Sequence, residues 1–402
     1  MNRTVEPTAR RLAAATALVC AIATATAQTW DSISVSHPRV DTARTGQLRA
    51  EMDALVFFQN NEYSSPAVEG YTLPGAWLQP RLTYTPLPRL RIEAGAHLLF
   101  FNGATHYPNY AYHDIARWKA GQYQSGVHAL PFLRVQADFQ RLSLVMGNIH
   151  GAQSHGLILP LYNPEQNLSA DPEAGVQLIY DSRRAHADLW LNWQSFIFNL
   201  DTHQEAFTVG LNYTPRWNGG GDGTVDWETP VQLIGQHRGG EIDATNTGVQ
   251  TVWNAAAGVR ATWRPYAQGA LNSLRAEANA LFSYQQTGDL WPFAAGFAWH
   301  AALRGRLWGH MGAEVGYFAA PRRFANLYGS PFFSTLSVKT DGLTFDGART
   351  AYATVSYDHG FGRNYHLGAQ LDVYATSAGG ATSTPFGFGV YFRVSPSFRV
   401  GK

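Results

Sequence analysis

The sequence predicts an all-β protein, a transmembrane antiparallel β-barrel of about sixteen strands, with about fourteen to eighteen allowed by uncertain strand ends. Two observations carry the prediction. Segments of roughly membrane-strand length alternate strictly between apolar and polar residues, as in LRIEAGAHLLF from residue 90, where Leu90 and Ile92 fall on one side and Arg91 and Glu93 on the other. The connections between these segments also alternate between short links and long ones such as 59–74, which is the pattern of outer-membrane barrels with short turns at one end. The exception is the link 215–229, which is long where a short turn is expected.

The composition agrees with many strands and excludes several other classes of protein. Of the 402 residues, 13% are aromatic, 39 are glycine and only 15% are charged, which suits strands and tight turns better than helices. The formal net charge of +1 gives no sign of nucleic-acid binding. No segment approaches eighteen consecutive apolar residues, so a membrane crossing is expected only through strands.

The N-terminus has the order of a secretory signal peptide. Arg3, Arg10 and Arg11 precede an apolar run over 12–23, and Ala25-Thr26-Ala27 forms a small-residue cleavage site. Cys20, the only cysteine, follows Val19, which is too large for a lipoprotein signal. We therefore expect a cleaved signal peptide at 1–27, a periplasmic segment at 28–45, and an outer-membrane barrel at 46–402.

The polar faces of the predicted strands carry full charges in mid-strand, and a lipid-facing apolar side would turn these charges into the lumen. The predicted lumen-lining residues are Glu51, Asp53, Arg91, Glu93, Arg134, Asp138, Asp188, Arg260, Arg275, Glu277, Arg304, Glu314 and Asp372. Acidic and basic residues are mixed on most strands, so strong selectivity for one sign of ion is not expected. Both a structural charge network and a selective solute site remain open.

The pattern resembles the porin-like β-barrels of Gram-negative outer membranes over residues 46–402. More narrowly, GNIHGAQSHGLILPLYNPE at 147–165, followed by GVQLIYDSRRAHADLWLNWQSFIF at 175–198, resembles a group of uncharacterised porin-like outer-membrane proteins. The chain departs from a common barrel pattern because it ends in SFRVGK and not on an aromatic residue.

The segment Ile149–Pro172 follows the fifth predicted strand, where the sixteen-stranded porins that the chain resembles fold a loop into the barrel. It contains an apolar run that needs shelter from water, and its predicted constriction residues are His150, His155, Leu157, Leu161 and Tyr162. A partner-binding surface or a loop packed on its neighbours is the alternative. The spacing of the two histidines fits no strong metal pattern, so neither a metal nor another cofactor is expected.

The predicted function is passive diffusion of small hydrophilic solutes through a polar lumen, in contact with outer-membrane lipid. The alternative is a non-conducting barrel that serves as a binding or assembly partner, either as a homo-oligomer or with another outer-membrane protein. A barrel lipase would need a nucleophile activated by a histidine on the lipid-facing wall. The pair Ser154–His155 lies in a loop and does not match that arrangement, so the chain is not predicted to be an enzyme.

Overall fold

The computed structural model describes residues 39–102, 126–198, 203–218, 224–240, 248–265, 269–340, 342–362 and 364–401, and the predicted signal peptide lies outside them. Within these ranges, nineteen hydrogen-bonded segments form a single antiparallel sheet. One wall strand consists of two of these segments and the last wall strand consists of three. The nineteen segments therefore form sixteen wall strands. The predicted fold class is confirmed.

The sixteen wall strands follow one another in chain order around the barrel. They are β1 Leu48–Ser64, β2 Glu69–Leu87, β3 Leu90–Phe101, β4 Gly126–Phe139, β5 Leu142–Asn148, β6 Ala174–Asp181, β7 Ala185–Ser195, β8 Ala206–Pro215, β9 Val225–Glu228 with Val231–Arg238, β10 Gln250–Trp263, β11 Leu271–Thr287, β12 Ala295–Leu307, β13 Met311–Ala320, β14 Ala348–Phe361, β15 Tyr365–Ala378, and β16 Ala381–Ser383 with Phe386–Val394 and Ser397–Gly401.

Among the residues that the structure describes, helical structure is confined to single turns. The one-turn helix α1 spans Gln166–Ser169, and 3₁₀ turns span Thr42–Arg44, Ala152–His155 and Pro331–Phe333. In the described ranges, no helix has the length and apolar character needed to cross a membrane.

The last strand closes the barrel against the first. Phe58 pairs with Val390, and Ala50 pairs with Phe398 on the final segment of β16. This closure leaves no free sheet edge, so backbone groups along the wall are bonded between strands, as a lipid surround requires.

Short turns gather at one end of the barrel, which we call the turn end, and longer connections gather at the other, the loop end. Two connections are shorter than the sequence suggested. β1 and β2 extend through most of the predicted link 59–74, because polar residues there keep pairing, with Thr72 Oγ1 donating to Asn60 Oδ1 at 2.6 Å. Val225–Glu228 pairs with β10, so the predicted link 215–229 is partly strand.

The outer surface of the wall is apolar and the inner surface is polar. Leu133 on β4 is 59% exposed, whereas the neighbouring Gln136 on the inner face is buried. The same alternation holds for Leu189 and Asp188 on β7. A soluble sheet would bury the apolar face instead, so this inverted pattern is that of a membrane barrel.

Two loops from the loop end fold into the interior: the 149–173 loop and the 321–347 loop. Residues 162 and 328 form a parallel β-bridge that joins the loops inside the barrel, and Asn163 N donates to Tyr328 O at 2.8 Å. The two loops and the inner wall share one buried apolar cluster that includes Leu161 and Phe324. This cluster fills the middle of the barrel.

Candidate functional site

The predicted constriction segment lies inside the barrel, against the inner face of the wall. Leu157, Leu161 and Tyr162 are buried in the apolar cluster. Wall side chains satisfy the loop backbone: Ile158 N donates to Gln232 Oε1 at 3.0 Å, and Asn212 Nδ2 donates to His155 O at 2.7 Å. The loop is therefore bonded to the wall along its length.

His155 forms the strongest of these attachments. Its Nδ1 lies 2.7 Å from Asp188 Oδ2 on β7, and its Nε2 lies 3.2 Å from Glu173 Oε2 at the end of the loop. Burial alone would lower the pKa of His155, but the two carboxylates outweigh burial and raise the pKa to about 9. In the protonated imidazolium form both ring nitrogens carry protons, so His155 has no lone pair with which to activate Ser154. His155 therefore anchors the loop to the wall.

His150 also bonds to the wall. Its backbone N donates to Gln177 Oε1 at 2.9 Å, and its Nε2 lies 3.1 Å from Gln136 Oε1. Across the described part of the chain, no group of three or more His, Cys, Asp or Glu side chains has an arrangement that could hold a metal ion.

The side chains predicted to line the lumen project from the inner face of the wall and form a network of ion pairs. Glu93 lies within 3.5 Å of Arg81 Nε, 2.7 Å of Arg91 Nε and 3.4 Å of Arg134 Nη1. Around the barrel, Arg260 Nε lies 3.0 Å from Glu277. Mixed charges of this kind compensate one another locally, which fits a structural charge network.

Two polar cavities lie on the turn-end side of the 149–173 loop. The first, of about 400 Å³, is lined by Glu51, Asp53, Arg91, Glu93 and Arg134, together with the N-terminal segment at Arg39–Arg44. The second, of about 380 Å³, is lined by Arg260, Arg275, Glu277, Arg304 and Glu314. Three predicted lumen residues line neither cavity: Asp138 accepts from Val40 N, Asp188 pairs with His155, and Asp372 accepts from Thr354.

A different polar group lies on the outer face of the wall, near the loop end. His237 on β9 and Thr251 on β10 are directly paired across the two strands, and His237 Nδ1 lies 2.9 Å from Thr251 Oγ1. Both residues occupy outward positions, in register with Val231 and Ala257 further down the same two strands. This His237–Thr251 pair therefore faces lipid.

The hydrogen bonds indicate which ring nitrogen of a neutral His237 carries the proton. Its Nε2 lies 3.1 Å from the carbonyl oxygen of Gly239, which can only accept a hydrogen bond. In the neutral ring Nε2 therefore carries the proton and Nδ1 is the acceptor, so the Thr251 hydroxyl donates to Nδ1. A hydroxyl that donates to a histidine, which is itself held by a third group, is the geometry of an activated nucleophile.

Aromatic side chains surround this pair. The ring of Phe207 lies 5.0 Å from the His237 ring and 5.3 Å from Trp193. Phe196 and Phe198, beyond the end of β7, are 65% and 72% exposed. On the same face Trp253 Nε1 donates to Gln286 Oε1 at 3.0 Å, which leaves the amide group of Gln286 as a donor at the wall surface. The surface around the pair combines apolar rings with a few polar groups.

The sequence analysis missed this pair because it sought catalytic residues in loops and in the lumen. The sequence did contain one indication of the pair. In VQLIGQHR, His237 falls on the same side of the strand as Val231 and Leu233, where a lipid-facing residue is expected to be apolar.

Comparison with known proteins gives one family match and several similar structures. The family model described as "Lipid A 3'-O-deacylase-type" matches residues 40–402. No curated protein matches. Similar solved structures include OccK5 (OpdH) from Pseudomonas aeruginosa, with 10% identity, a TM-score of 0.46, and 88% of this chain and 98% of that chain covered. OccAB4 from Acinetobacter baumannii has 10% identity and a TM-score of 0.47, with 88% and 99% covered.

The family match corrects one prediction. The chain was predicted not to be an enzyme, and that prediction is wrong because the matching family is named for a deacylase and the match extends over almost all of the barrel. The chain is a porin-like barrel of the outer-membrane type that belongs to the lipid A 3'-O-deacylase-type family.

Proposed function

We propose that this protein hydrolyses an acyl ester of an outer-leaflet lipid of the lipid A type, at the His237–Thr251 pair. The observation that carries the proposal is the hydrogen bond between His237 Nδ1 and the Thr251 hydroxyl on the outer face of the wall, with His237 Nε2 held by the Gly239 carbonyl oxygen. Family membership supports an ester of lipid A as the substrate class.

The position of the pair supports the same substrate. In outer-membrane barrels the short turns face the periplasm and the longer loops face outward, so the loop end lies at the outer leaflet. His237 and Thr251 lie near this end, and the exposed rings of Phe196 and Phe198 offer apolar contact for acyl chains. The ester bonds of a lipid lie where the headgroup meets the acyl chains, and a pair near the loop end of the wall would lie close to that depth.

The proposed reaction has two steps. The Thr251 oxygen attacks the ester carbonyl carbon while His237 Nδ1 takes the hydroxyl proton, and the Gly239 carbonyl stabilises the imidazolium through Nε2–H. The departing alcohol takes that proton from His237, which leaves an acyl group on Thr251. His237 Nδ1 then takes a proton from water, whose oxygen attacks the acyl carbon. The bond between that carbon and the Thr251 oxygen breaks, the Thr251 oxygen takes the proton back from His237, and the fatty acid is released. The amide of Gln286 is the proposed donor to the oxyanion.

The test is fatty acid release from purified lipid A, measured by mass spectrometry with refolded protein in detergent micelles. Wild-type protein should release fatty acid, and His237→Asn and Thr251→Val should reduce the rate by roughly 10²-fold or more. Thr251→Ser keeps a hydroxyl at the same place and should remain active. Ser154→Ala is the matched control and should equal wild type. No release by the wild type, or full activity of both wall variants, would refute the proposal.

A second proposal is that the barrel also passes small hydrophilic solutes. The two charged cavities on the turn-end side support a water-filled lumen. The two inner loops lie across any such route, so passage would require the 149–173 loop to move. Planar-bilayer recordings would show stepwise channels that become larger when Gly156–Gln166 is deleted, provided that the variant keeps heat-resistant barrel migration on gels. If neither the wild type nor the deletion variant forms channels, the result would favour a barrel that does not transport solutes and whose partner would have to be identified separately.

A further inference from the structure

We propose that the second lumen cavity binds a small oxyanion, a carboxylate or a phosphate, at Arg275. This site is independent of the proposed ester hydrolysis, because it lies inside the barrel on the turn-end side, whereas the His237–Thr251 pair lies on the outer wall. The proposal starts from an imbalance of charge among the cavity's lining residues.

The other arginines of the cavity have acidic partners. Arg304 Nε lies 2.5 Å from Glu314 Oε2. Arg260 contacts Glu277 at 3.0 Å and Glu228 at 3.4 Å. The carboxylates of the cavity wall are therefore already engaged.

Arg275 differs from them. Among the residues that the structure describes, none accepts a hydrogen bond from Arg275 or forms an ion pair with it. It lines the cavity together with Arg260 and Arg304. In the strand register Arg275 is directly opposite Arg304, and like charges that face each other across two strands are destabilising.

The cavity suits such an anion. Its volume of about 380 Å³ falls in the range of small-molecule sites, roughly 300–1,000 Å³. The guanidinium of Arg275 offers a planar set of donors that matches the two oxygens of a carboxylate or phosphate. Asn212, Thr214 and His300 also line the cavity and can hydrogen-bond the rest of a small polar solute. The turn end faces the periplasm, so the anion would enter from that side.

The test is isothermal titration calorimetry on refolded protein in detergent micelles and low-chloride buffer, with inorganic phosphate and succinate titrated separately. Wild-type protein should bind at least one of the two saturably, and the stronger probe identifies the oxyanion. Arg275→Gln should weaken binding about tenfold or more. Arg306→Gln removes the same charge from the inner face of the neighbouring strand, at a residue that contacts Gly309 O and does not line the cavity, and should bind as the wild type does.

Arg275→Lys keeps the charge but not the planar donors and should bind with intermediate affinity, which supplies the test if Arg275→Gln does not fold. Saturable binding that is equal in wild type and Arg275→Gln would overturn the proposal, and so would no binding of either probe by the wild type. Deacylation by Arg275→Gln should match the wild type, so failure of this site and failure of the proposed enzyme activity can be told apart.

Discussion

His155 and Trp190 stack face to face inside the barrel, with ring centroids 3.6 Å apart and planes inclined by 9°. His155 belongs to the 149–173 loop and Trp190 to β7, so the stack joins the loop to the wall. Gly210 on β8 lies on the indole ring as well, because a Cβ added there would come within 2.1 Å of a Trp190 ring atom. A protonated imidazole over an indole is also a cation–π contact, which adds to the ion pairs of His155.

The first prediction concerns pH. The pKa of His155 is raised to about 9, above the value near 6.5 of an unfolded histidine. The imidazolium therefore contributes its full stabilisation below about pH 6.5 and loses it as the pH rises through about 9. Urea unfolding should show a falling midpoint between pH 7 and pH 10. His155→Gln should begin lower and lack this decline, and an equal decline in both proteins would contradict the prediction.

The second prediction concerns Gly210. Gly210→Ala places a methyl group where the Trp190 ring lies, so the indole must move and the stack with His155 is lost. We expect a loss of about 1–3 kcal/mol in unfolding free energy. Gly305→Ala is the control, because its nearest neighbours lie 3.9 and 4.0 Å away. Denaturant titrations of both variants measure the difference, and equal stability would disprove the close packing of Gly210.

The third prediction concerns Tyr328, whose hydroxyl joins the 321–347 loop to the wall. Thr208 Oγ1 lies 2.5 Å from it, Gln194 Nε2 donates to it at 2.7 Å, and Gln236 Nε2 donates at 3.3 Å. Tyr328→Phe removes the shared partner of three polar side chains, of which Thr208 and Gln236 are buried, and should cost about 1–3 kcal/mol. A double-mutant cycle with Thr208→Ala should show a coupling energy, and simple additivity of the two changes would exclude direct contact.

The fourth prediction concerns the lipid face. Leu133 lies near the middle of β4 and points outward. Leu133→Arg should make folding into lipid less favourable by about 2–4 kcal/mol, whereas Leu133→Phe should be tolerated. Refolding yields in liposomes compare the two. Comparable folding of both variants would mean that this face does not contact lipid.

The fold could be predicted from the sequence because strand alternation and connection length are local properties. Each apolar–polar segment defines its own two faces, and the order of short and long links defines the two ends. The entry of the 149–173 loop into the barrel could also be predicted, because an apolar run such as Leu157–Leu161 is poorly suited to water. The 321–347 loop was not recognised as an interior element, although its aromatic residues carried a comparable signal.

The candidate site could not be predicted because it depends on register. His237 and Thr251 are fourteen positions apart in the chain, and only the pairing of β9 with β10 places their side chains together. The role of His155 depended equally on Asp188 and Glu173, which lie far from it in the chain but contact both of its ring nitrogens. Such cross-strand contacts cannot be predicted from composition or motif spacing.

The junction of the two inner loops has a consequence for biogenesis. Tyr162 and Tyr328 belong to distant parts of the chain, so the interior is complete only when the wall strands between the two loops, β6 to β13, have come together. Until then Leu161 and Phe324 have no apolar surroundings, and a half-assembled barrel would expose them to periplasmic chaperones and proteases. Burial of the two loops is thus a late step in assembly. Substitutions in either loop should increase the degradation of newly exported chains before they change the structure of the finished barrel.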